Sequence, residues 1–174
     1  MWNKSFEGSQ LKSITIPNEI TQINVNAFYG CANLENVTLS TNIKTISGWA
    51  FYGCSLLKGI NLPNTLVTLG EEAFKGCTSS TNIVFGNNAQ SIGRESFSGC
   101  TSLQTIEFGS GVTNIFGGAL NGCSSLKTIT CRAETPPNML GGNYLQNVEH
   151  VYVPSNAVES YKTASQWSSY ANII

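Results

Sequence analysis

The chain has 174 residues, 41% of them hydrophobic and 11% charged, with nine Lys plus Arg against ten acidic residues and a formal net charge of -1. That length supports one domain with a substantial core and is too short for several, and no basic patch or run is present to neutralise phosphates, which excludes an electrostatic binder of nucleic acid or of anionic membrane. Every acid is a glutamate, aspartate is absent and histidine occurs once, so most hydrolytic and metal chemistries lack their usual residues.

The first thirty residues carry an apolar spacing, Phe6, Gly8, Leu11, Ile14, Ile16, Ile20, Ile23, Ala27 and Phe28, that the rest of the chain repeats. From there cysteines fall at 31, 54, 77, 100 and 123, each 23 residues after the last. A fixed period of that length outranks any local reading of helix or strand. Cys31-Ala-Asn-Leu-Glu-Asn-Val-Thr-Leu is followed by Cys54-Ser-Leu-Leu-Lys-Gly-Ile-Asn-Leu, Cys100-Thr-Ser-Leu-Gln-Thr-Ile-Glu-Phe and Cys123-Ser-Ser-Leu-Lys-Thr-Ile-Thr-Cys. The second half repeats as well, as in Ile43-Lys-Thr-Ile-Ser-Gly-Trp-Ala-Phe-Tyr-Gly and Leu66-Val-Thr-Leu-Gly-Glu-Glu-Ala-Phe-Lys-Gly.

Within a unit, Leu, then Ile or Val three later, then Leu or Phe two later predicts a short strand with one buried face. Pro17, Pro63, Gly86 and Gly109 end that strand. A second apolar pair, such as Ile43 and Ile46, leads to a small residue plus Phe, and Gly with Cys closes the coil. The six or seven inward side chains of a unit contribute on the order of 10 to 15 kcal/mol, less than the backbone entropy of ordering the unit at roughly 1 to 2 kcal/mol per residue. One unit cannot fold alone and a stack can. Unit three, with Ser80 in place of Leu and Ala89 in place of Ile or Val, is expected to be the softest.

The unit L-x-x-I-x-L-P-x-x-I-x-x-I-G-x-x-A-F-x-G-C resembles the 23-residue leucine-rich repeats of the Treponema pallidum type, found in BspA-like surface proteins. The resemblance covers residues 1 to about 132. It implies an α/β solenoid rich in short β-strands, a right-handed leucine-rich-repeat coil closed by a C-terminal strand-helix cap. The tail, with Thr135-Pro-Pro, Val151-Tyr-Val-Pro and Val158-Glu-Ser-Tyr-Lys, is similar to the caps that follow such arrays in Bacteroidetes and Firmicutes. We therefore divide the chain into an array over 1–132 and a cap over 133–174. Asn156, with Ser155 as a rival, reads as the cap of a helix bearing Val158 and Tyr161; Tyr161, Trp167, Tyr170, Ile173 and Ile174 are expected to cover the end of the core. What the family implies is a secreted or surface-anchored protein that binds other macromolecules, with adhesion to host matrix in some members.

The cysteine column, Cys31, Cys54, Cys77, Cys100 and Cys123, reads as a ladder of buried thiols, each a small apolar plug with a weak donor to a turn carbonyl; disulfides and metal or redox chemistry are the alternatives. Cys131 aligns instead with Leu39, Leu62, Phe85 and Phe108. A catalytic thiol needs an imidazole, and His150, beside the strand positions Val148, Val151 and Val153, reads as a surface residue. Glu71, Glu72 and Glu95 occupy variable positions and read as a solvated face. No catalytic, cofactor or metal site is expected.

Two surfaces remain as candidates for binding. The outward sheet columns hold Ser13, Asn36, Gly59, Asn82, Thr105 and Thr128, and beside them Thr15, Thr38, Asn61, Val84, Glu107 and Thr130. This face is polar, nearly uncharged and without an aromatic anchor, suited to a glycan or extended peptide or simply to staying soluble. The aromatic exceptions are Trp49, Tyr52 and Tyr29. If their stretch is a helical turn, Trp49 and Tyr52 share a face, giving a patch for a protein or sugar partner; the alternative is rings that cover coil edges or that met a neighbour in a longer parent protein.

The N-terminal residues align with the middle of a unit, which leaves a coil edge open for end-to-end self-association, and no signal peptide, transmembrane span or lipobox is read. The chain thus reads as part of a longer secreted protein, with a complete intracellular one as the alternative. The functional expectation is a recognition or adhesion module for a protein, matrix component or glycan, with a structural spacer or self-associating display scaffold as the alternative.

Overall fold

The computed structural model describes residues 4–141, 145 and 147–174. Each unit supplies two short strands, which pair in parallel with their counterparts in neighbouring units except at one place in the first of the two ribbons. One ribbon holds β1 (Ser13–Thr15), β3 (Asn36–Thr38), β5 (Ile60–Asn61), β7 (Asn82–Val84), β9 (Thr105–Phe108), β11 (Thr128–Cys131) and β13 (His150–Tyr152). The other holds β2 (Gln22–Ile23), β4 (Thr45–Ile46), β6 (Thr68–Leu69), β8 (Ser91–Ile92), β10 (Asn114–Ile115) and β12 (Asn138–Met139). The second ribbon is a continuous sheet of six strands, one per turn of the solenoid. The first is divided, β1 with β3 and β5 through β13.

The register follows the cysteine period: Ser13 faces Asn36, Ile83 faces Ile106 and Ile106 faces Ile129. Inward residues of the strands, such as Ile83, Ile106 and Ile129, are almost fully buried while their neighbours face out. Cys131 pairs with Phe108 and is buried in that core column.

The third side of the coil is a run of turns, and helix is confined to the tail among the described residues. The physical reason recurs in every coil. Lys4, Asn26, Trp49, Glu72 and Glu95 stand at φ between 51 and 60°, and Gly118 stands at 72° in the same column. A residue in the left-handed region interrupts any right-handed helix, so Trp49 and Tyr52 do not share a helix face as the sequence reading supposed. Instead the amides of each coil reach across to the next. Asn26, Phe28 and Gly30 donate to Gly48, Ala50 and Tyr52, and Trp49, Phe51 and Gly53 donate to Glu71, Ala73 and Lys75. Behind this ladder Phe6, Phe28, Phe51, Phe74 and Phe97 stack with centroids 5.0 to 5.5 Å apart. Stacked pairs of this kind add about 0.5 to 1.5 kcal/mol beyond their burial.

At the C-terminal end β13 extends the first ribbon, and α1 (Val158–Thr163) and a 3-10 helix (Ser168–Ile173) fold over the core. Tyr161 and Trp167 are fully buried there, edge to face at 5.1 Å. Their polar atoms are both satisfied, Tyr161 Oη donating to Ala133 O and Trp167 Nε1 to Pro137 O, each at 2.8 Å. Tyr170, Ile173 and Ile174 pack against the core while partly exposed. The helix does not begin as the sequence reading expected: Ala157 takes the N-cap position and no side chain caps it, so neither Asn156 nor Ser155 supplies that bond. Unit three is less irregular than its sequence. The buried Ser80 hydroxyl donates to Leu57 O at 2.7 Å, and Ala89 is buried where larger residues stand elsewhere.

Candidate functional site

The thiol column lies inside the coil rather than on it. Cys31, Cys54, Cys77, Cys100 and Cys123 are free and at most 6% exposed. Their Sγ atoms donate to the carbonyls of Phe6, Phe28, Phe51, Phe74 and Phe97 in the preceding coil, at 2.8 to 3.3 Å. Burial pushes Cys54 and Cys123 up to about 12 and raises Cys77 and Cys100 as well. Burial likewise raises Cys131, whose neighbour is the Tyr161 hydroxyl. Thiols that keep their protons at neutral pH are poor nucleophiles and poor metal ligands. His150 is exposed on β13 and faces Thr128, on the outer side of the sheet.

The glutamates form a network rather than a freely solvated face. Lys75 Nζ lies 2.6 Å from Glu95 and 2.9 Å from Glu72, while Arg94 reaches Glu95 at 3.0 Å. The Glu72 and Glu95 side chains are only 17% and 24% exposed. Their bonds to Lys75 hold its ammonium protonated well beyond its ordinary range, and Lys75 in turn lowers Glu95. Paired in this way, these carboxylates are turn-side braces between adjacent coils.

The aromatic group on the first coils is brought together in part. Tyr29 and Tyr52 stack at 4.8 Å with rings 5° from parallel, both half-buried, and continue outward the order of the phenylalanine column. Trp49 does not join that stack. Its carbonyl accepts the Tyr52 amide at 3.2 Å and its side chain is 36% exposed. Trp49 and Tyr52 thus share one turn and Tyr29 belongs to the turn one coil before, Trp49 being the most exposed of the three.

On the outer face of the first ribbon the polar columns take the positions their spacing gave. Asn36, Asn82 and Thr105 are exposed, as are Thr38 and Asn61, while Thr128, Thr130 and Glu107 are partly covered. Thr105 Oγ1 donates to Asn82 Oδ1 at 2.7 Å, and Arg132 pairs with Glu107 at 2.5 Å. The sequence reading held that this face has no aromatic anchor, and the cap strand corrects it. β13 places His150 beside Thr128 and Tyr152 beside Thr130. Tyr152 is 57% exposed. The signal was present in the alternation of Val148, Val151 and Val153, whose intervening side chains must face outward.

Comparison with known proteins agrees with this architecture. No curated protein sequence matches the chain. In structure it is similar to a leucine-rich repeat protein of T. pallidum (TM-score 0.70, 28% identity), covering 87% of this chain and 64% of that one. A leucine-rich repeat protein from Bacteroides ovatus gives a TM-score of 0.71 at 28% identity, over 87% of this chain and 42% of that one. A leucine-rich cell surface protein from Faecalibacterium prausnitzii gives 0.67 at 27% identity, over 82% and 39%. The chain spans less than two thirds of each of these proteins. The profile of the BspA type leucine rich repeat region, in six copies, matches residues 1–127 and 50–164. The chain belongs to the BspA-type leucine-rich repeat family.

Proposed function

We propose that the protein is a non-enzymatic recognition module, extracellular or on a cell surface, that captures a protein partner through the patch of Trp49, Tyr52 and Tyr29. Residues 1–132 form the repeat array that presents the patch, and residues 133–174 cap it. The observation that carries this reading is the exposure of Trp49. Lys4, Asn26, Glu72, Glu95 and Gly118 fill this left-handed column in the other coils, so its backbone calls for no ring, yet Trp49 places an indole there, 36% exposed, on the turn that carries Tyr52, whose ring stacks on Tyr29. Trp and Tyr are also the side chains most often found at the centres of tight interfaces. Family membership supports a macromolecular partner, and the surface location named for the F. prausnitzii relative supports an extracellular setting. The raised pKa values of the buried thiols give no support to thiol catalysis.

The test is binding to immobilised extracellular matrix proteins, comparing the native chain with Trp49→Ala and Tyr52→Ala. Loss of about tenfold or more in affinity with an unchanged melting temperature supports the patch. Unchanged binding at unchanged stability dismisses it. Sedimentation in the same series addresses the scaffold alternative: concentration-dependent chains without ligand point to assembly, including end-to-end contact through the N-terminal coil.

A further inference from the structure

The cap strand gives the sheet face something its repeats lack. His150 and Tyr152 project outward on either side of the buried Val151, with ring centroids 6.0 Å apart and planes 27° from parallel. Strand pairing sets Tyr152 beside Thr130, and Thr130 beside Glu107. Neighbouring strands lie about 4.8 Å apart, so a ring platform, a hydroxyl and an ion-paired carboxylate follow one another in a straight row. Arg132, Val153 and Pro154 complete a shallow depression along it with Thr130 and Tyr152.

We propose that this end of the sheet face is a binding site for a neutral oligosaccharide, with the Tyr152 and His150 rings stacking against a sugar ring and Thr130, Arg132 and Glu107 hydrogen-bonding its hydroxyls. The inference rests on the recognition reading above and names a second site and ligand class for it. A pyranose has an apolar face and a polar rim, and an exposed aromatic ring beside a hydroxyl, a guanidinium and a carboxylate complements both. The charge balance chooses the neutral sugar. Glu107 already compensates Arg132, the one cation among the described residues that line the depression, at 2.5 Å, and Glu149 pairs Lys127 at 2.6 Å on the adjoining margin, so no uncompensated cation of that lining favours an acidic one. The shallow, open form of the site suits the flank of a chain rather than a buried small molecule. Because Tyr152 and Thr130 belong to hydrogen-bonded strands, the platform is preorganised and little entropy is lost on binding.

The experiment is a titration of the aromatic carbon–proton resonances of the native chain with cellotetraose, xylotetraose and mannotetraose, and with tetragalacturonate as the acidic comparison. Saturable shifts of the Tyr152 and His150 rings with at least one neutral tetrasaccharide are expected. Tyr152→Ala should weaken that binding about tenfold or more, Tyr152→Trp should retain it, and Trp49→Ala should leave it unchanged. The site is refuted if no Tyr152 shift occurs up to about 10 mM sugar, if tetragalacturonate binds more tightly than every neutral probe, or if binding survives Tyr152→Ala. Binding that is lost in Trp49→Ala but kept in Tyr152→Ala would likewise refute it while leaving the patch on the first coils standing.

Discussion

The turn side and the first ribbon obey one period with different strictness. On the turn side the amide ladder runs from Phe6 through Phe97 with the same donors and acceptors in each coil, backed by the stacked rings and the thiols. In the first ribbon the sheet is interrupted between β3 and β5, where Gly59 stands in the column of Asn36, Asn82 and Thr105. What bridges that place at the margin is the amide of Lys58 bonded to Glu35 O at 3.2 Å and their side-chain ion pair at 2.6 Å. The contrast locates the determinants of the fold. On the turn side the Phe column changes only to Leu120, the residue before it stays Ala or Ser and the glycine two after it is constant, whereas an outward sheet residue can be Ser, Asn, Gly or Thr. Freedom to vary is what a recognition surface needs, and the structure concentrates it on the sheet face and at isolated turn positions such as Trp49.

The largest expected effect tests the strict side. Phe51 lies in the middle of the ring stack, 5.0 Å from both Phe28 and Phe74, and is fully buried. Phe51→Ala removes a ring with two stacked neighbours and leaves a cavity, so denaturant unfolding should show a loss of about 3 to 5 kcal/mol. A loss below about 1 kcal/mol would mean that neighbouring coils collapse into the space, and that the turn side is less strict than its ladder implies.

A smaller change of opposite sign is expected at Trp49. Glycine reaches φ 55° without the Cβ penalty, as Gly118 does at 72° in the same column. Trp49→Gly should therefore raise stability by about 1 kcal/mol, measured as an upward shift of the denaturant midpoint, even as it removes the most exposed ring of the patch. A net loss of stability would show that the indole covers the coil, and the reading of Trp49 as a ring kept for a partner would fail with it.

The sequence carried the array well because the signal was repeated. Five cysteines in register fixed the coil length, and the columns built on them reappear as strand partners, Ser13 with Asn36 and Asn82 with Thr105. It carried the left-handed turn column poorly. Asn26 and Gly118 are ordinary residues for that backbone, but Trp49, Glu72 and Glu95 do not announce it, and a run of Glu and Ala reads as helix by propensity. Tyr152 was missed for a different reason. The last coil departs from the period: Asn114 pairs with Asn138 and Thr128 with His150. Counting on by the cysteine period from Thr130 reaches Val153, and a shift of one residue moves a strand's side chains to the opposite face. One residue is added on the way to β12 and two are lost between β12 and β13, so the sheet-face aromatic disappears from any alignment built on the repeat alone.

The smallest effect bears most directly on the contrast between the two sides. Gly59 does not adopt a positive φ, and a Cβ built on it would meet only Asn82 O, at 3.8 Å, an ordinary contact. Nothing steric therefore requires glycine there, unlike Gly93, whose Cβ would lie 2.3 Å from Gly70 O. Glycine in a strand loses the most backbone entropy and offers no side chain for cross-strand packing. Threonine already fills the column at Thr105, where its hydroxyl bonds Asn82. Gly59→Thr should thus raise stability by about 0.5 to 1 kcal/mol and slow amide exchange at Ile60, Asn61 and Leu62, joining β3 to β5 as its neighbours are joined. Faster exchange or lower stability in this variant would mean that the interruption is held by the coils on either side, and that the sheet face is as constrained as the turns.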